Sequence, residues 1–438
     1  MSGHIEYEKA RRSRAFYIIS LGCSKNQCDS ERLNGALAAS GLELAESPEE
    51  ARFVIVNTCG FINDAKKESI GVILDSLDLK EDNPDTQVIV TGCLSKRYFS
   101  DIKKDIPEVD LVWGIPDDGL VSEIAARAGL GAAAKLSADG RIPFERTSPF
   151  EYIKIADGCS NNCSYCAIPL IRGAHHSFSP DYIVKDAVSA VARGVKELVV
   201  VAQDIAAYDH NGVRLPELLG MLADTGAPWI RLLYCHPDHL TDDIIHAIRD
   251  IPSVVPYIDI PFQHVSRDIV HAMNRKGDAK TYLSLVERLR GAVPGIAIRS
   301  TFMTGFPGET DEQFEELLDF LAEARLDRVG AFTFSPEEGT RASSMEGEVP
   351  EQKKHARYER LMAMQKRVSA AKLAERIGSK VRVLVEEDTG DDTWIGRTEY
   401  DAPEVDGVFF LHGKDVRLHD IVTATVTDAV EYDLEGSV

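Results

Sequence analysis

The chain has 438 residues, of which 44% are apolar and 27% charged, a composition typical of a globular protein with room for two to four domains. No apolar run approaches about 18 residues, and the N terminus lacks a secretion signal, so we expect a cytoplasmic protein whose residues 1–14 form a flexible tail. The net charge of −22 disfavours a phosphate backbone as the main partner and suits a basic one, although solubility alone explains it equally well.

Residues 15–127 alternate short apolar strands with helices. The strands "AFYIISLGC", "ARFVIVNTCG" and "TQVIVTGC" each run into a cysteine. This alternation predicts a parallel, flavodoxin-like α/β sheet, in which ligands bind at the carboxyl ends of the strands. Cys23, Cys59 and Cys93 occupy that position after three different strands. One such cysteine is most often a small core residue, but three of them predict a shared metal site.

The rest of the chain divides into three segments. Residues 128–149 are small, polar and rich in Gly and Pro, which predicts a linker. Residues 150–375 contain six apolar runs with amphipathic helices between most of them, which predicts a partial (β/α)6 barrel with function at the carboxyl ends of its strands. Residues 376–438 contain short runs separated by turns, which predicts a small OB-like barrel of about five antiparallel strands.

A second cysteine cluster follows the first predicted barrel strand. The stretch "DGCSNNCSYC" places Cys159, Cys163 and Cys166 in a C-x3-C-x2-C spacing. In a reducing compartment such clustered thiols are metal ligands or catalytic groups. Three thiolates hold three irons of a cubane cluster and leave the fourth iron open to a small molecule. The alternatives are zinc, with His175 or His176 as fourth ligand, and a redox dithiol. The C-x3-C-x2-C spacing after a barrel strand favours an iron–sulfur cluster over both.

The stretch "CSNNCSYCAIP" resembles the signature of radical S-adenosylmethionine (SAM) enzymes. The resemblance implies that the open iron binds SAM, and that reduction releases a 5′-deoxyadenosyl radical. Tyr165 then packs near the adenine, although plain hydrophobic packing is the alternative. Further cofactor contacts are expected at Gln203, which ends the second barrel strand, and at Gly305 and Gly308 in "TGFPGET", where glycines permit close backbone approach. Arg172 is expected to support the cluster loop or a carboxylate.

The order of the two cysteine triplets and the C-terminal small barrel resembles the methylthiotransferases over nearly the whole chain. The resemblance implies a second 4Fe-4S cluster on Cys23, Cys59 and Cys93 that carries the sulfur to be inserted. One SAM methylates this sulfur, and a second SAM generates the radical that activates a substrate carbon. The implied partners are a low-potential electron donor, such as flavodoxin or ferredoxin, and a sulfur donor.

The family divides by substrate between a transfer RNA adenosine and an aspartate of small-subunit ribosomal protein S-twelve. Residues 376–438 carry 15 acidic and 6 basic side chains, a net charge of −9, which disfavours RNA and suits a basic protein. The stretches "LGCSKNQCDSE", "VVVAQDIAAYD" and "GRTEYDAPEVDGVFF" also resemble the ribosomal-protein branch. The expected function is therefore methylthiolation of the aspartate β-carbon, with the C-terminal TRAM-type barrel recognising the substrate.

Three other functions stay open at this point. The chain could act on transfer RNA, carry electrons through two clusters, or serve as a zinc-stabilised ribosome-binding adaptor. Among single residues, Cys28 and Cys235 are expected to be spare or buried thiols. Asn57 is expected to cap the helix that follows it.

Overall fold

The computed structural model describes residues 12–138 and 140–438, so residues 1–11 of the predicted tail and Asp139 of the predicted linker lie outside it. The described chain forms two compact units. The first contains the chain up to Arg146 together with Gly158–Ser160 and Ala167–His175, and the second contains Thr147–Asp157, Asn161–Cys166 and His176–Val438. None of the helices in the described part of the chain is long and apolar enough to cross a bilayer.

The first unit is built on a five-stranded parallel sheet in the order β2-β1-β3-β4-β5, which confirms the predicted flavodoxin-like fold. Its strands are β1 (Ala15–Ser20), β2 (Glu43–Leu44), β3 (Phe53–Thr58), β4 (Gln87–Gly92) and β5 (Leu111–Val112). Its helices in this region are α1 (Ser24–Ala39), α2 (Asn63–Asp82), α3 (Cys93–Arg97), α4 (Phe99–Asp105) and α5 (Asp118–Arg127).

The central strand β3 explains why this sheet is covered on both faces. All six of its residues are buried, as expected for a parallel strand between two helix layers. Phe53 and Ile55 belong to one apolar cluster with residues of α1 and α5, whereas Val56 belongs to another with residues of α2, α3 and α4. Burial of each such side chain contributes roughly 1.5–3 kcal/mol.

The predicted linker is bound to this unit. Arg141 forms a buried 2.7 Å ion pair with Glu31 of α1, and the Ile142 amide donates to the Glu31 carbonyl at 3.0 Å. The segment therefore runs along α1.

The second unit opens with a six-stranded, all-parallel sheet in the order β15-β14-β13-β12-β9-β6, which confirms the predicted partial barrel. The strands are β6 (Phe150–Lys154), β9 (Glu197–Val201), β12 (Trp229–Leu232), β13 (Val254–Asp259), β14 (Ala297–Thr304) and β15 (Arg328–Thr333). Two-residue strands form small ladders beside it: β7 (Ala156–Asp157) with β8 (His176–Ser177), and β10 (Asp209–His210) with β11 (Val213–Arg214).

Helices of the second unit connect these strands and cover the sheet. They are α7 (Pro180–Ala192), α8 (Leu215–Ala223), α9 (Asp242–Asp250), α10 (Arg267–Ala272), α11 (Ala279–Ala292), α12 (Asp311–Ala324) and α13 (Glu351–Ala374), whereas the short α6 (Ile168–Arg172) belongs to the first unit. The long helix α13 joins two cores, because Leu361 packs in the sheet's apolar core and Leu373 packs in that of the C-terminal barrel.

The C-terminal segment is a closed five-stranded barrel in the order β16-β17-β18-β20-β19, as predicted. Its strands are β16 (Lys380–Gly390), β17 (Thr393–Thr398), β18 (Phe409–His412), β19 (Ile421–Ala429) and β20 (Leu434–Ser437). The prediction that all strands are antiparallel is wrong at one ladder, since β18 and β20 pair in parallel. A closed ring with an odd number of strands cannot alternate direction all the way round.

A charged segment that begins with Arg397 in β17 and continues into the connection to β18 fixes the small barrel to the amino-terminal ends of the parallel strands. Glu197, the first residue of β9, is fully buried and accepts from Arg231 at 2.5 Å and from Arg397 at 2.6 Å. Arg328, the first residue of β15, forms an ion pair with Asp401. The stretch that resembles the ribosomal-protein branch thus contributes directly to the join between the two barrels.

We expect Arg397→Ala to lower the free energy of unfolding by about 3–5 kcal/mol, because it leaves buried carboxylates with fewer partners. The matched control is Arg325→Ala, which breaks the half-exposed pair with Glu375 and should cost no more than about 1 kcal/mol. Urea unfolding followed by circular dichroism measures both. Equal midpoints for the two variants would contradict the expected role of the network.

Candidate active site

The three N-terminal cysteines lie at the carboxyl ends of β1, β3 and β4. Cys23 precedes the first residue of α1, Cys59 directly follows β3, and Cys93 begins α3. The strand order places the change of direction of the sheet between β1 and β3, where doubly wound folds bind ligands. The first unit therefore brings all three loops to one edge of its sheet.

Two glycines allow these loops to approach closely. A Cβ on Gly22 would lie 2.6 Å from Cys59 Cβ and 2.8 Å from its Sγ, and Gly22 also has φ +90°. A Cβ on Gly60 would lie 2.7 Å from Leu94 Cα. The chain therefore uses glycine where the cysteine-bearing loops touch, and of the three cysteines Cys23 is exposed whereas Cys59 and Cys93 are buried.

The side chain of Asn26 ties the loops together. Its Nδ2 donates to the carbonyl of Leu21 at 2.8 Å and to that of Thr58 at 3.1 Å. Asn57 donates in return to the Asn26 carbonyl at 3.1 Å and to Ser30 Oγ at 2.7 Å. The prediction that Asn57 caps the next helix is wrong: Asn57 is a buried residue of β3 whose amide is used between strand and helix.

The three thiols lie close enough to influence one another's pKa values. Burial raises the pKa of Cys59 to about 11, and the neighbouring Cys23 and Cys93 add to this. Burial also raises the pKa of Cys93, although Arg172 opposes the effect. Such thiols are protonated near pH 7 without a metal, so a bound metal must displace their protons and supply the compensating charge.

Arg172 contacts two side chains of α1 near the first cysteine triplet. It lies on the segment of the first unit that follows the second cysteine cluster. Its Nη1 donates to Asp29 Oδ2 and its Nη2 to Asn26 Oδ1, both at 2.9 Å. Cys93 Sγ lies 3.8 Å from the same Asn26 oxygen. The expected carboxylate partner of Arg172 is thus Asp29.

The loop of the second cysteine cluster is held by backbone-directed hydrogen bonds. In the first unit the Cys159 amide donates to the Gly173 carbonyl at 3.1 Å. In the second unit the Ser164 amide donates to the Met273 carbonyl at 2.9 Å, and Ser164 Oγ donates to that of Ala272 at 2.8 Å. Asn274 Nδ2 donates to the Asn162 carbonyl at 3.0 Å. The turn after α10 therefore fixes the position of Asn162 and Ser164, on either side of Cys163.

Tyr165 is half-buried against an apolar cluster that includes Met303, Phe306 and Phe334. Its hydroxyl accepts from Arg275 Nη1 at 3.2 Å. This contact anchors the ring from the side of its hydroxyl, and the expected adenine contact of Tyr165 stays a prediction.

Gln203 follows β9 and points its amide group into a polar cluster. Its Nε2 donates to Asp157 Oδ1 at 3.0 Å, and Asp157 also forms a 2.8 Å ion pair with the buried Lys154. The Gln203 Oε1 atom is buried and has no hydrogen-bond partner among the described residues. A buried acceptor of this kind is completed by a ligand or by water, which fits the predicted cofactor contact.

The "TGFPGET" turn is organised by its own carboxylate. Glu309 accepts from the amides of Gly305 and Phe306, and Arg357 pairs with Glu309 at 3.1 Å. A Cβ on Gly305 would lie 2.2 Å from Lys354 Cγ, whereas the same position on Gly308 is open. Packing on Lys354 alone therefore requires glycine at 305, and the cofactor contacts of Gly305 and Gly308 stay predictions.

Asp204, His236 and His239 converge at the ends of β9 and β12, with one ligand atom from each within 4.8 Å of the others. Asp204 already accepts four hydrogen bonds, from the Ala206 and His236 amides, from Asn161 Nδ2 at 2.9 Å and from His239 Nδ1 at 2.6 Å. His236 Nδ1 accepts from the Asp238 amide. The group therefore forms a hydrogen-bonded network attached to the second cysteine loop.

The remaining cysteines are buried. Cys28 lies within α1, and Cys235 belongs to the apolar core of the parallel sheet. Burial also raises the pKa of Cys235 well above its usual range. Both thus have the surroundings of structural thiols.

The donor set of the two triplets fits iron–sulfur clusters. All six residues are free cysteines, and soft thiolates are the ligands that hold such clusters. The Gln203 oxygen, which has no hydrogen-bond partner among the described residues, is a buried polar atom that a bound group would complete. We therefore treat a cluster and SAM as compatible with the residues present.

Three family models match the chain: residues 15–114 match "Uncharacterized protein family UPF0004", residues 153–321 the radical SAM superfamily and residues 377–438 the TRAM domain. With the parallel barrel sheet and its C-x3-C-x2-C loop, these matches define a radical SAM enzyme. Among curated proteins, the ribosomal protein uS12 methylthiotransferases RimO of Geotalea uraniireducens and Moorella thermoacetica are 42% and 43% identical to the chain. Each alignment covers 96% of this chain, and 97% and 98% of the relative. The chain belongs to the RimO family of radical SAM methylthiotransferases.

Solved structures support the fold. The radical SAM methyltransferase TsrM from Kitasatospora setae, with cobalamin and a [4Fe-4S] cluster bound, aligns with a TM-score of 0.58 at 14% identity, covering 75% of this chain and 77% of TsrM. The cobalamin-dependent SAM radical enzyme OxsB aligns with a TM-score of 0.52 at 12% identity, covering 83% of this chain and 57% of OxsB. At these identities the likeness concerns architecture.

The Asp204–His239 hydrogen bond raises the pKa of His239 above its usual value, whereas burial lowers that of His236 to about 3. We expect Asp204→Asn to lower the pKa of His239 towards about 6.5. Because the folded pKa is raised, the pair stabilises the fold below about pH 6.5, and this contribution is lost as pH rises through the folded pKa. Histidine NMR titration of the apoprotein, assigned with His239→Gln, measures the shift, and an unchanged pKa in Asp204→Asn would contradict it.

Proposed function

We propose that the protein methylthiolates the β-carbon of an aspartate in ribosomal protein uS12, using SAM and two 4Fe-4S clusters. The observation that carries the proposal is the match of nearly the whole chain to curated uS12 methylthiotransferases at 40–43% identity. All three segments that this activity needs are present in one chain, each with its own fold.

The two cysteine triplets divide the chemistry. Cys159, Cys163 and Cys166 hold one cluster, and Cys23, Cys59 and Cys93 hold the other. Each supplies three thiolates, so one iron of each cluster stays open. When bound, the clusters and SAM supply electron transfer, a carbon-centred radical and the sulfur that is inserted. Radical chemistry suits an unactivated carbon, whose proton no side-chain base can remove at ordinary pKa values.

The chain's own residues bind and orient these groups. Tyr165, whose hydroxyl accepts from Arg275, would contact the adenine of bound SAM. Gln203 would offer the cofactor an oxygen that has no partner among the described residues, and the backbone at Gly305 and Gly308 would line the site. The apolar cluster around Tyr165 keeps water from the reacting atoms.

Substrate selection rests on charge. In residues 376–438 nine acidic and three basic side chains are exposed. Four of the acidic ones, Glu387, Asp388, Asp391 and Asp392, lie on or beside the β16–β17 turn. This surface attracts a basic ribosomal protein and repels a phosphate backbone.

The remaining partners are a low-potential electron donor, such as flavodoxin or ferredoxin, and a sulfur donor. We place the reaction in the cytoplasm, where ribosomal proteins are assembled.

Mass spectrometry of cells that lack the protein tests the substrate. We expect uS12 to lose a mass of about 46 Da, the methylthio group in place of hydrogen, while transfer RNA nucleosides stay unchanged. Return of the gene should restore the mass, and a Cys163→Ala copy should not. Loss of methylthio groups from transfer RNA with uS12 unaltered would overturn the assignment in favour of the adenosine substrate.

Separate loss of each cluster tests the division of labour. Wild-type protein reconstituted without oxygen should hold about eight irons, four per cubane. Cys163→Ala and Cys59→Ala should each hold about half as much iron. Only Cys59→Ala should still cleave SAM reductively to 5′-deoxyadenosine, because the radical triplet is intact. Cys28→Ala is the matched control and should keep full iron. Equal SAM cleavage by Cys163→Ala would contradict the role of the second triplet.

A further inference from the structure

Arg275 is a buried cation with unused hydrogen-bond donors. Its side chain lies in the turn after α10, and the residue is 4% exposed. Nη1 donates to the Tyr165 hydroxyl at 3.2 Å, but Nε and Nη2 are buried and have no hydrogen-bond partner among the described residues. Because a buried guanidinium without an anion is strongly unfavourable, such a residue indicates a missing negative group.

Six other arginines with buried side chains behave differently, because each forms an ion pair with a carboxylate in its own unit: Arg141 with Glu31, Arg172 with Asp29, Arg231 and Arg397 with Glu197, Arg328 with Asp401 and Arg357 with Glu309. No carboxylate pairs with Arg275 in the described part of the chain. The hydrogen bond that its side chain makes there goes to the Tyr165 hydroxyl.

The surroundings of Arg275 point to the group that completes it. The Tyr165 hydroxyl that accepts from Arg275 Nη1 belongs to the residue directly before Cys166 and two residues after Cys163. The neighbouring residues Met273 and Asn274 bind the backbone of Ser164 and Asn162, so the guanidinium is fixed relative to the loop that carries Cys163. A cluster ligated by three thiolates carries net negative charge, and cations or N–H donors near its sulfurs raise its reduction potential.

We propose that Arg275 is the positioning residue and counter-charge of the radical cluster, donating N–H bonds from Nε or Nη2 to cluster sulfur and making the cluster easier to reduce. This inference rests on the proposed function, since it requires a cluster on the second triplet. Arg275 acts on the cluster's electron affinity and on the orientation of Tyr165. The competing anion is the carboxylate of SAM, which the experiment distinguishes.

The test is a redox titration followed by electron paramagnetic resonance, made without SAM. The full-length chain carries Cys23→Ala, Cys59→Ala and Cys93→Ala, so that the radical cluster alone gives the signal. Into this background we place Arg275→Gln, Arg275→Lys and the control Arg267→Gln, which removes the same charge from an exposed position on α10. Iron content and the dissociation constant of SAM are measured for each.

We expect Arg275→Gln to shift the midpoint potential to a more negative value, so that the reduced fraction at the wild-type midpoint falls severalfold. Arg275→Lys, which keeps the charge but loses the planar fork, should shift it less, and Arg267→Gln should leave it unchanged. If Arg275→Gln does not retain iron, Arg275→Lys decides alone: a more negative potential supports the proposal and an unchanged one overturns it.

An unchanged potential in iron-replete Arg275→Gln would overturn the proposal, and a weakened SAM affinity in the same protein would assign Arg275 to the SAM carboxylate. Failure of the proposed function looks different. In that case the protein with an intact Arg275 would itself lack the cluster or leave SAM uncleaved.

Discussion

The arrangement of both units depends on one constraint: neighbouring parallel strands end at the same edge of their sheet. This edge gathers loops that are far apart in sequence, so Cys23, Cys59 and Cys93 lie along the same edge although about 35 residues separate each from the next. The loops themselves need little structure beyond glycines that permit close approach, such as Gly22 against Cys59. The same constraint places Gln203 and the Asp204 network at the carboxyl edge of the barrel sheet.

In the second unit, the two ends of the parallel strands carry different kinds of polar group. At the amino-terminal ends, buried ion pairs centred on Glu197 bind the small barrel through residues 397–406. At the carboxyl ends, buried polar atoms such as Gln203 Oε1 have no hydrogen-bond partner among the residues that the structure describes. Buried charges that are fully paired fix geometry, whereas buried polar atoms that lack partners mark where a ligand completes the protein. The closed small barrel can therefore present its acidic turn without occupying the catalytic edge.

Sequence patterns predicted what depends on local order. Apolar strands, helices between them and the cysteine spacings predicted all three folds, because period and composition determine which segments are buried. Sequence patterns failed for residues whose hydrogen-bond or ion-pair partners lie far away in the sequence. Asn57 looks like a cap from its neighbours but is used between β3 and α1. Arg275 follows an unremarkable "VHAMN" stretch, and only the fold shows that it lacks the ion pair that six other buried arginine side chains form with described carboxylates.

The contrast between Arg172 and Arg275 gives this distinction a physical basis. Arg172 lies beside Cys93, yet Asp29 neutralises it, so its main effect is to hold the Asn26 network in place. Arg275 donates to the hydroxyl of Tyr165, which lies between Cys163 and Cys166 in the sequence, and it forms no ion pair with a described carboxylate. Because a cluster's potential responds to net charge and to hydrogen bonds at sulfur, a neutralised and an uncompensated arginine affect it to different degrees. Under the proposed function, a cluster on Cys159, Cys163 and Cys166 would have to accept an electron before SAM is cleaved, and this triplet is the one accompanied by a cation that pairs with no described carboxylate.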